Sequence, residues 1–127
     1  MSLNKQKSLS YLQYMQQAID DILEYTNDLT YEEFVADKPK RQATQLNFII
    51  LGENAARLLA QKDVFDNEEE ILKLSKTMRN FITHQYESVN LALIYATAKT
   101  DIPELKIKLT DLAKLLNQEP PDPELQM

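Results

Sequence analysis

Leu12-Gln13-Tyr14-Met15-Gln16-Gln17-Ala18-Ile19-Asp20-Asp21-Ile22 is the stretch that decides the fold. Leu12, Met15, Ile19 and Ile22 recur at intervals of three and four, which places apolar side chains on one face of an α-helix. The residues between them are mainly polar or charged, so the opposite face suits water. The pattern predicts a helix over about residues 7–25, and the same spacing returns along most of the chain.

Working outward, Thr30-Tyr31-Glu32-Glu33 has the form of a capping box, in which hydroxyl and carboxylate each satisfy the other residue's backbone N–H. It opens a short helix that ends near Ala36, before the break Asp37-Lys38-Pro39. A long helix is expected from about Pro39 to Gln61, with Ala43, Leu46, Ile50 and Leu59 among its buried residues. Lys62 to Asn67 reads as a loop. Asn67-Glu68-Glu69-Glu70 can cap a further helix with Ile71, Leu74, Met78 and Ile82 on its apolar face. Val89 to Thr100 carries Leu91, Leu93, Ile94 and Ala98 and reads as another. Asp101-Ile102-Pro103-Glu104 combines an N-cap, an early proline and a reciprocal glutamate, and so is expected to start a last helix bearing Leu105, Leu109, Leu112 and Leu116. The expectation is an all-α, up-and-down helical bundle of about five helices, one domain over residues 1–117. Residues 118–127, with three prolines and several acids, read as a disordered tail.

Composition narrows the function. One glycine and no tryptophan argue against an all-β design, whose tight turns need several glycines. The absence of cysteine removes disulfides, thiolate zinc sites and cysteine nucleophiles, and suits a reducing compartment. A single histidine excludes a poly-histidine metal site within one subunit; a carboxylate-only magnesium site stays open, and the residues point to no other cofactor. No stretch approaches the roughly 18 apolar residues of a membrane span, and residues 1–7 lack the apolar core of a signal peptide. A cytoplasmic protein is expected. The net charge of −6 weighs against a nonspecific nucleic-acid coat but leaves room for a local basic site.

His84 is the only side chain whose ordinary pKa lies near neutrality, which makes it the candidate for general acid–base work. Arg79 supplies a fixed cation suited to phosphate. Asn80 lies four residues before His84, on nearly the same helical face. Lys73, Lys76 and Arg79 recur every three residues as a short basic stripe, which is either a solvated face or a substrate contact. Arg79 and Tyr86, seven apart, share a face, whereas Arg79 and His84 diverge by about 140° on an ideal helix. For both to meet one phosphate, the helix must end or bend between them, or a second subunit must complete the site. Gly52, the only glycine, sits in a helical stretch where it costs about 1 kcal/mol relative to alanine. It marks either a close helix–helix contact or, with Glu53, a place where a ligand or another chain approaches.

The segment Arg79-x4-His84-x-Tyr86 resembles the Arg-x4-His-x-Tyr motif of the HepT toxins, a branch of the HEPN superfamily. Asp21-Ile22-Leu23-Glu24-Tyr25-Thr26 with Tyr31-Glu32-Glu33-Phe34 is similar to the family's first loop region. Arg41-Gln42-Ala43 leading to Asn47-Phe48-Ile49-Ile50-Leu51-Gly52-Glu53 looks like its second long helix. Met78-Arg79-Asn80 and Asp101-Ile102-Pro103-Glu104-Leu105 follow in the expected order, so the resemblance covers roughly residues 8–117.

That resemblance implies a helical homodimer acting as a metal-independent endoribonuclease, encoded beside a minimal nucleotidyltransferase antitoxin with which it could form a larger hetero-oligomer. It implies that His84 serves as general acid or base when an RNA 2′-hydroxyl attacks the adjacent phosphate, leaving 2′,3′-cyclic phosphate and 5′-hydroxyl ends. Arg79 would stabilise the charge on that phosphate and Asn80 would support it, with Lys73, Lys76 and Glu53 as candidate substrate contacts. Tyr86 would accept AMP from the antitoxin. The alternative from a different class is a non-catalytic helical subunit that binds a nucleotidyltransferase or a nucleotide. A purely structural role for His84 and Tyr86 is a third reading.

Overall fold

The computed structural model describes residues 3–61 and 90–118, which form four helices. Helix α1 spans Leu3–Thr26, α2 Tyr31–Ala36, α3 Lys38–Leu59 and α4 Leu91–Gln118. The chain is all-α, as its periodicity predicts. The expected helix bearing Ile71, Leu74, Met78 and Ile82 lies outside the described residues, as do the Lys62–Asn67 loop and the tail beyond Gln118.

One core joins the helices. Leu12, Met15, Ile19 and Ile22 of α1 are fully buried, as are Phe34 of α2, Phe48 and Leu58 of α3 and Ile94 of α4. Helix α1 is the centre of this arrangement, packing against both α3 and α4. Chain reach fixes the direction of α3. Residues 27–37, six of them helical, can span about 26 Å, which is short of the roughly 33 Å needed to bring a 22-residue helix back parallel to α1. Thus α3 returns antiparallel to α1. Cross-contacts fix α4: Lys106 pairs with Asp20 at 3.0 Å, Lys99 donates to the Thr26 and Asn27 carbonyls, and the Tyr95 hydroxyl reaches Leu29 O at 2.7 Å. Rising numbers on α4 meet falling numbers on α1, so α4 is also antiparallel to it. Helices α3 and α4 therefore run the same way, and Gln61 and Asn90 sit at opposite ends of the bundle.

The Thr30 capping box is present. Glu33 N donates to Thr30 Oγ1 at 3.1 Å, and Thr30 N donates to Glu33 Oε1 at 3.0 Å. The Thr30 backbone bond, followed by its hydroxyl, holds the Glu33 carboxyl below the usual glutamate pKa. A depressed folded-state pKa contributes stability above the unfolded value, and that contribution is lost as pH falls through the folded value. In thermal melts, the advantage of the wild type over Glu33→Gln should therefore shrink steadily on acidification from pH 7 to pH 3. A constant difference would show that the carboxylate plays no part.

Two expectations need correction. Asp101-Ile102-Pro103-Glu104 does not start a helix, because α4 runs unbroken from Leu91 to Gln118 with Pro103 inside it. The physical reason is the continuous stripe of Ile94, Ala98, Ile102, Leu105, Leu109, Leu112 and Leu116, all buried. Burying each large apolar side chain gains about 1.5–3 kcal/mol, so together they outweigh the roughly 3 kcal/mol cost of an interior proline. Pro103 is itself exposed. Leu46 is 55% exposed rather than buried, because it lies about 160° round α3 from Phe48. Leu93 is 42% exposed, one step of about 100° off the stripe that begins at Ile94. Ala43, Ile50 and Leu91 are half-buried.

Candidate functional site

Arg79, Asn80, His84 and Tyr86, together with Lys73 and Lys76, lie outside the described residues. The described residues stop at Gln61, just past the C-terminus of α3, and resume at Asn90, immediately before α4. Asn90 caps α4, its Oδ1 accepting from Leu93 N at 3.1 Å.

Of the two described residues in the candidate set, Gly52 is buried and Glu53 exposed. Adjacent helical residues point about 100° apart, so the pair does not offer one common face to a ligand. The burial of Gly52 within its own chain favours the close-packing account, since a side chain there would need room in a filled interior. Asn54 is buried beside it. Its Nδ2 donates to Ile50 O at 2.9 Å and its Oδ1 receives a long contact of 3.4 Å from Arg57 Nη1. These bonds explain how a polar side chain is held on the buried side of α3.

Asn90 sits close to a polar clasp that side-chain patterning does not reveal. Helix α1 ends at Thr26, leaving its last carbonyls without partners from their own helix. Lys99 of α4 supplies them, donating from Nζ to the carbonyls of both Thr26 and Asn27. A cation at a helix C-terminus also opposes the negative end of the helix dipole. One turn earlier, the Tyr95 hydroxyl donates to Leu29 O. The Tyr95 ring packs on Phe34 and edge-on to Tyr31, with centroids 5.6 Å apart in each pair, and Lys99 Nζ lies 5.4 Å from its centre. Two residues of α4, four apart, thus grip the junction between α1 and α2.

A groove of about 260 Å³ between α1 and α4 is lined by Gln16, Ile19, Asp20, Lys106 and Thr110. Its charges are paired with each other and its Thr110 hydroxyl donates to Lys106 O, so none of these groups is left poised for chemistry. Among the described residues, no three His, Cys, Asp or Glu side chains cluster to hold a metal ion. No described helix is long and apolar enough to cross a membrane.

The family described as Ribonuclease HepT-like matches residues 15–112. A Methanocaldococcus jannaschii protein named "Putative RNase" is 32% identical over 101 residues, covering 79% of this chain and 85% of its own. Another, named "Probable ribonuclease HepT", from Thermococcus cleftensis, is 29% identical over 110 residues, covering 87% of this chain and 99% of its own. No solved structure gives a significant match.

Proposed function

Because the chain belongs to the family of HepT-like ribonucleases, we propose that it is the RNA-cleaving toxin of a toxin–antitoxin pair, acting in the cytoplasm. The observation that carries this reading is the extent of the family match. Residues 15–112 include the whole of Arg79 to Tyr86, so the acid–base histidine and its neighbouring cation fall inside the shared region.

The chemistry follows from the residue types. An RNA 2′-oxygen attacks the adjacent phosphorus, a new P–O2′ bond forms, and the P–O5′ bond breaks. The 2′-hydroxyl gives up a proton and the departing 5′-oxygen gains one, leaving a 2′,3′-cyclic phosphate and a 5′-hydroxyl. His84 moves one or both of these protons. Arg79 offsets the charge that grows on the non-bridging oxygens, with Asn80 in support. No metal is needed for these steps. A two-fold homodimer would bring Arg79 of one copy towards His84 of the other and remove the angular conflict between them.

Regulation belongs to Tyr86. A nucleotidyltransferase antitoxin would transfer AMP from ATP to its hydroxyl, forming a phosphodiester and releasing pyrophosphate. The added anion would repel RNA at the cleft, as a phosphate group would.

The test is incubation of purified protein with RNA, followed by analysis of the new ends. Cyclic phosphate and 5′-hydroxyl ends are expected, and 5′-phosphate ends would overturn the mechanism. No cleavage of any RNA offered, with stable binding to the nucleotidyltransferase, would instead establish the non-catalytic subunit; the net charge of −6 is what favours that second reading. With the transferase and ATP added, wild-type protein should gain AMP and stop cleaving. Tyr86→Phe should gain none at that position and continue to cleave, as mass spectrometry and the same RNA assay would show.

A further inference from the structure

We propose that the outer face of the first half of α1, formed by Lys7, Ser10 and Tyr14, is a docking surface for unpaired RNA, with the Tyr14 ring stacking on a base and Lys7 pairing with a phosphate. The choice of partner rests on the ribonuclease reading above. The surface itself stands on described residues alone.

Charge is divided sharply along α1 and the segment that follows it. Residues 3–19 hold Lys5 and Lys7 and no acid, whereas residues 20–37 hold seven acids and no lysine or arginine. Lys40 and Arg41, at the start of α3, stand against that acidic block: Lys40 acts on the Glu33 carboxyl, and Arg41 Nη1 donates to Val35 O. Because α3 and α4 both run against α1, their far ends lie beside its start. Arg57 and Lys114 there are balanced by Glu53 and Asp111. Among the described residues, the start of α1 thus keeps its positive charge in a chain of net −6. A phosphate backbone is repelled at one end of the bundle and accepted at the other.

Helical spacing puts Lys7, Ser10 and Tyr14 on one face, with Lys7 and Tyr14 about 10 Å apart along the axis and about 20° apart around it. All three are exposed. Tyr11 packs on the core and Tyr31 on Tyr95, but Tyr14 is 62% exposed. Among the described residues its side chain has no hydrogen bond and no ring contact. One turn further on, Gln17 donates to Asp21 Oδ1 at 3.1 Å, and there the acid-free face ends. A single bare ring is ordinary on a protein surface. Here its neighbours choose the partner: Lys7, Ser10, Gln13 and Gln17 are polar and exposed, so an apolar protein face would find one ring and little else. An RNA strand finds a π-face for a base and a cation for its phosphate. Bases in a duplex are already stacked on each other, so the surface selects unpaired RNA.

The probe is a 2′-O-methyl RNA strand of about 12 nucleotides, which has no 2′-hydroxyl to attack and so stays whole. It is offered to the full chain and to Tyr14→Ser, Tyr14→Phe, Lys7→Gln and Lys38→Gln. The replaced side chains are exposed, and circular dichroism melts confirm that each variant is folded. Tyr14→Ser should weaken binding about 5- to 100-fold, while Tyr14→Phe, which keeps the ring, should stay within about twofold of wild type. Lys7→Gln should reduce the slope of log affinity against log salt by about 0.7, the loss of one phosphate contact on a single strand, and Tyr14→Ser should leave that slope unchanged. Lys38→Gln removes a cation at the opposite end of the bundle and should change neither quantity. The same strand annealed into a duplex should be insensitive to Tyr14→Ser. Unchanged affinity in Tyr14→Ser, or equal losses in Lys7→Gln and Lys38→Gln, would overturn the surface and leave the ribonuclease reading intact. So would an altered oligomeric mass with RNA affinity unchanged, which would mark the face as a protein contact. Tyr14-dependent binding by a protein that cleaves no RNA would retain the surface and overturn the ribonuclease reading.

Discussion

Alanine at position 84 is expected to lower RNA cleavage by about 10²- to 10⁴-fold, the usual contribution of a positioned acid–base group. His84 is the only histidine in the chain, so no second imidazole within the subunit can take over its protons. Lysine and tyrosine ordinarily titrate well above neutrality, and aspartate and glutamate well below it. The loss should appear in the single-turnover rate, with the thermal midpoint near that of the wild type. Equal rates for the two proteins would remove His84 from the mechanism. A mixed dimer makes the test sharper. If Arg79 and His84 of different copies share one site, Arg79→Ala and His84→Ala chains combined should regain one intact site per dimer. If each site lies within one subunit, the mixture should be as inactive as its parts.

Truncating Phe34 to alanine should lower stability by about 3–5 kcal/mol. Its ring is fully buried on a helix of only six residues. So short a helix has almost no stability of its own, and its position depends on what its side chains bury. Phe34 also supports Tyr95, so its loss frees α2 and loosens the start of α4 together. Total stabilities of about 5–15 kcal/mol leave little margin for such a change. Denaturant titration should show a much lower midpoint, and Phe34→Leu should cost less because most of the volume is kept. A loss under about 1 kcal/mol would mean that α2 is not held by this ring.

The all-helical character was legible because it depends on local spacing: Leu12, Met15, Ile19 and Ile22 show their face without reference to any partner. The Thr30–Glu33 box was legible for the same reason, as both of its bonds close within four residues. Asp101-Ile102-Pro103-Glu104 misled because a capping signal is local, whereas the stripe from Ile94 to Leu116 runs straight through it. Spacing also says nothing about which flank of a helix has a neighbour, so Leu46 was placed inside. Of the candidate site, the chemical types from Arg79 to Tyr86 could be read directly. The clasp could not, because Tyr95 and Lys99 bind backbone carbonyls 66 to 73 residues away, and any sequence offers carbonyls. Only a lysine and a tyrosine four apart near a helix start hinted at it.

The shared direction of α3 and α4 also bears on how the bundle assembles. Helix α3 meets α1 after a short connection, from Thr26 to Lys38, while Lys99 reaches Thr26 across a separation of 73 residues. Loop-closure entropy grows with the logarithm of length, which makes the second closure dearer by about 1.5 kcal/mol. The α1–α3 hairpin is thus the cheaper nucleus, and docking of α4 carries the larger entropic cost. Among the described helices, the Tyr95 and Lys99 contacts to the end of α1 therefore form across the costlier of these two closures, and they lock the bundle only after the α1–α3 pair is in place.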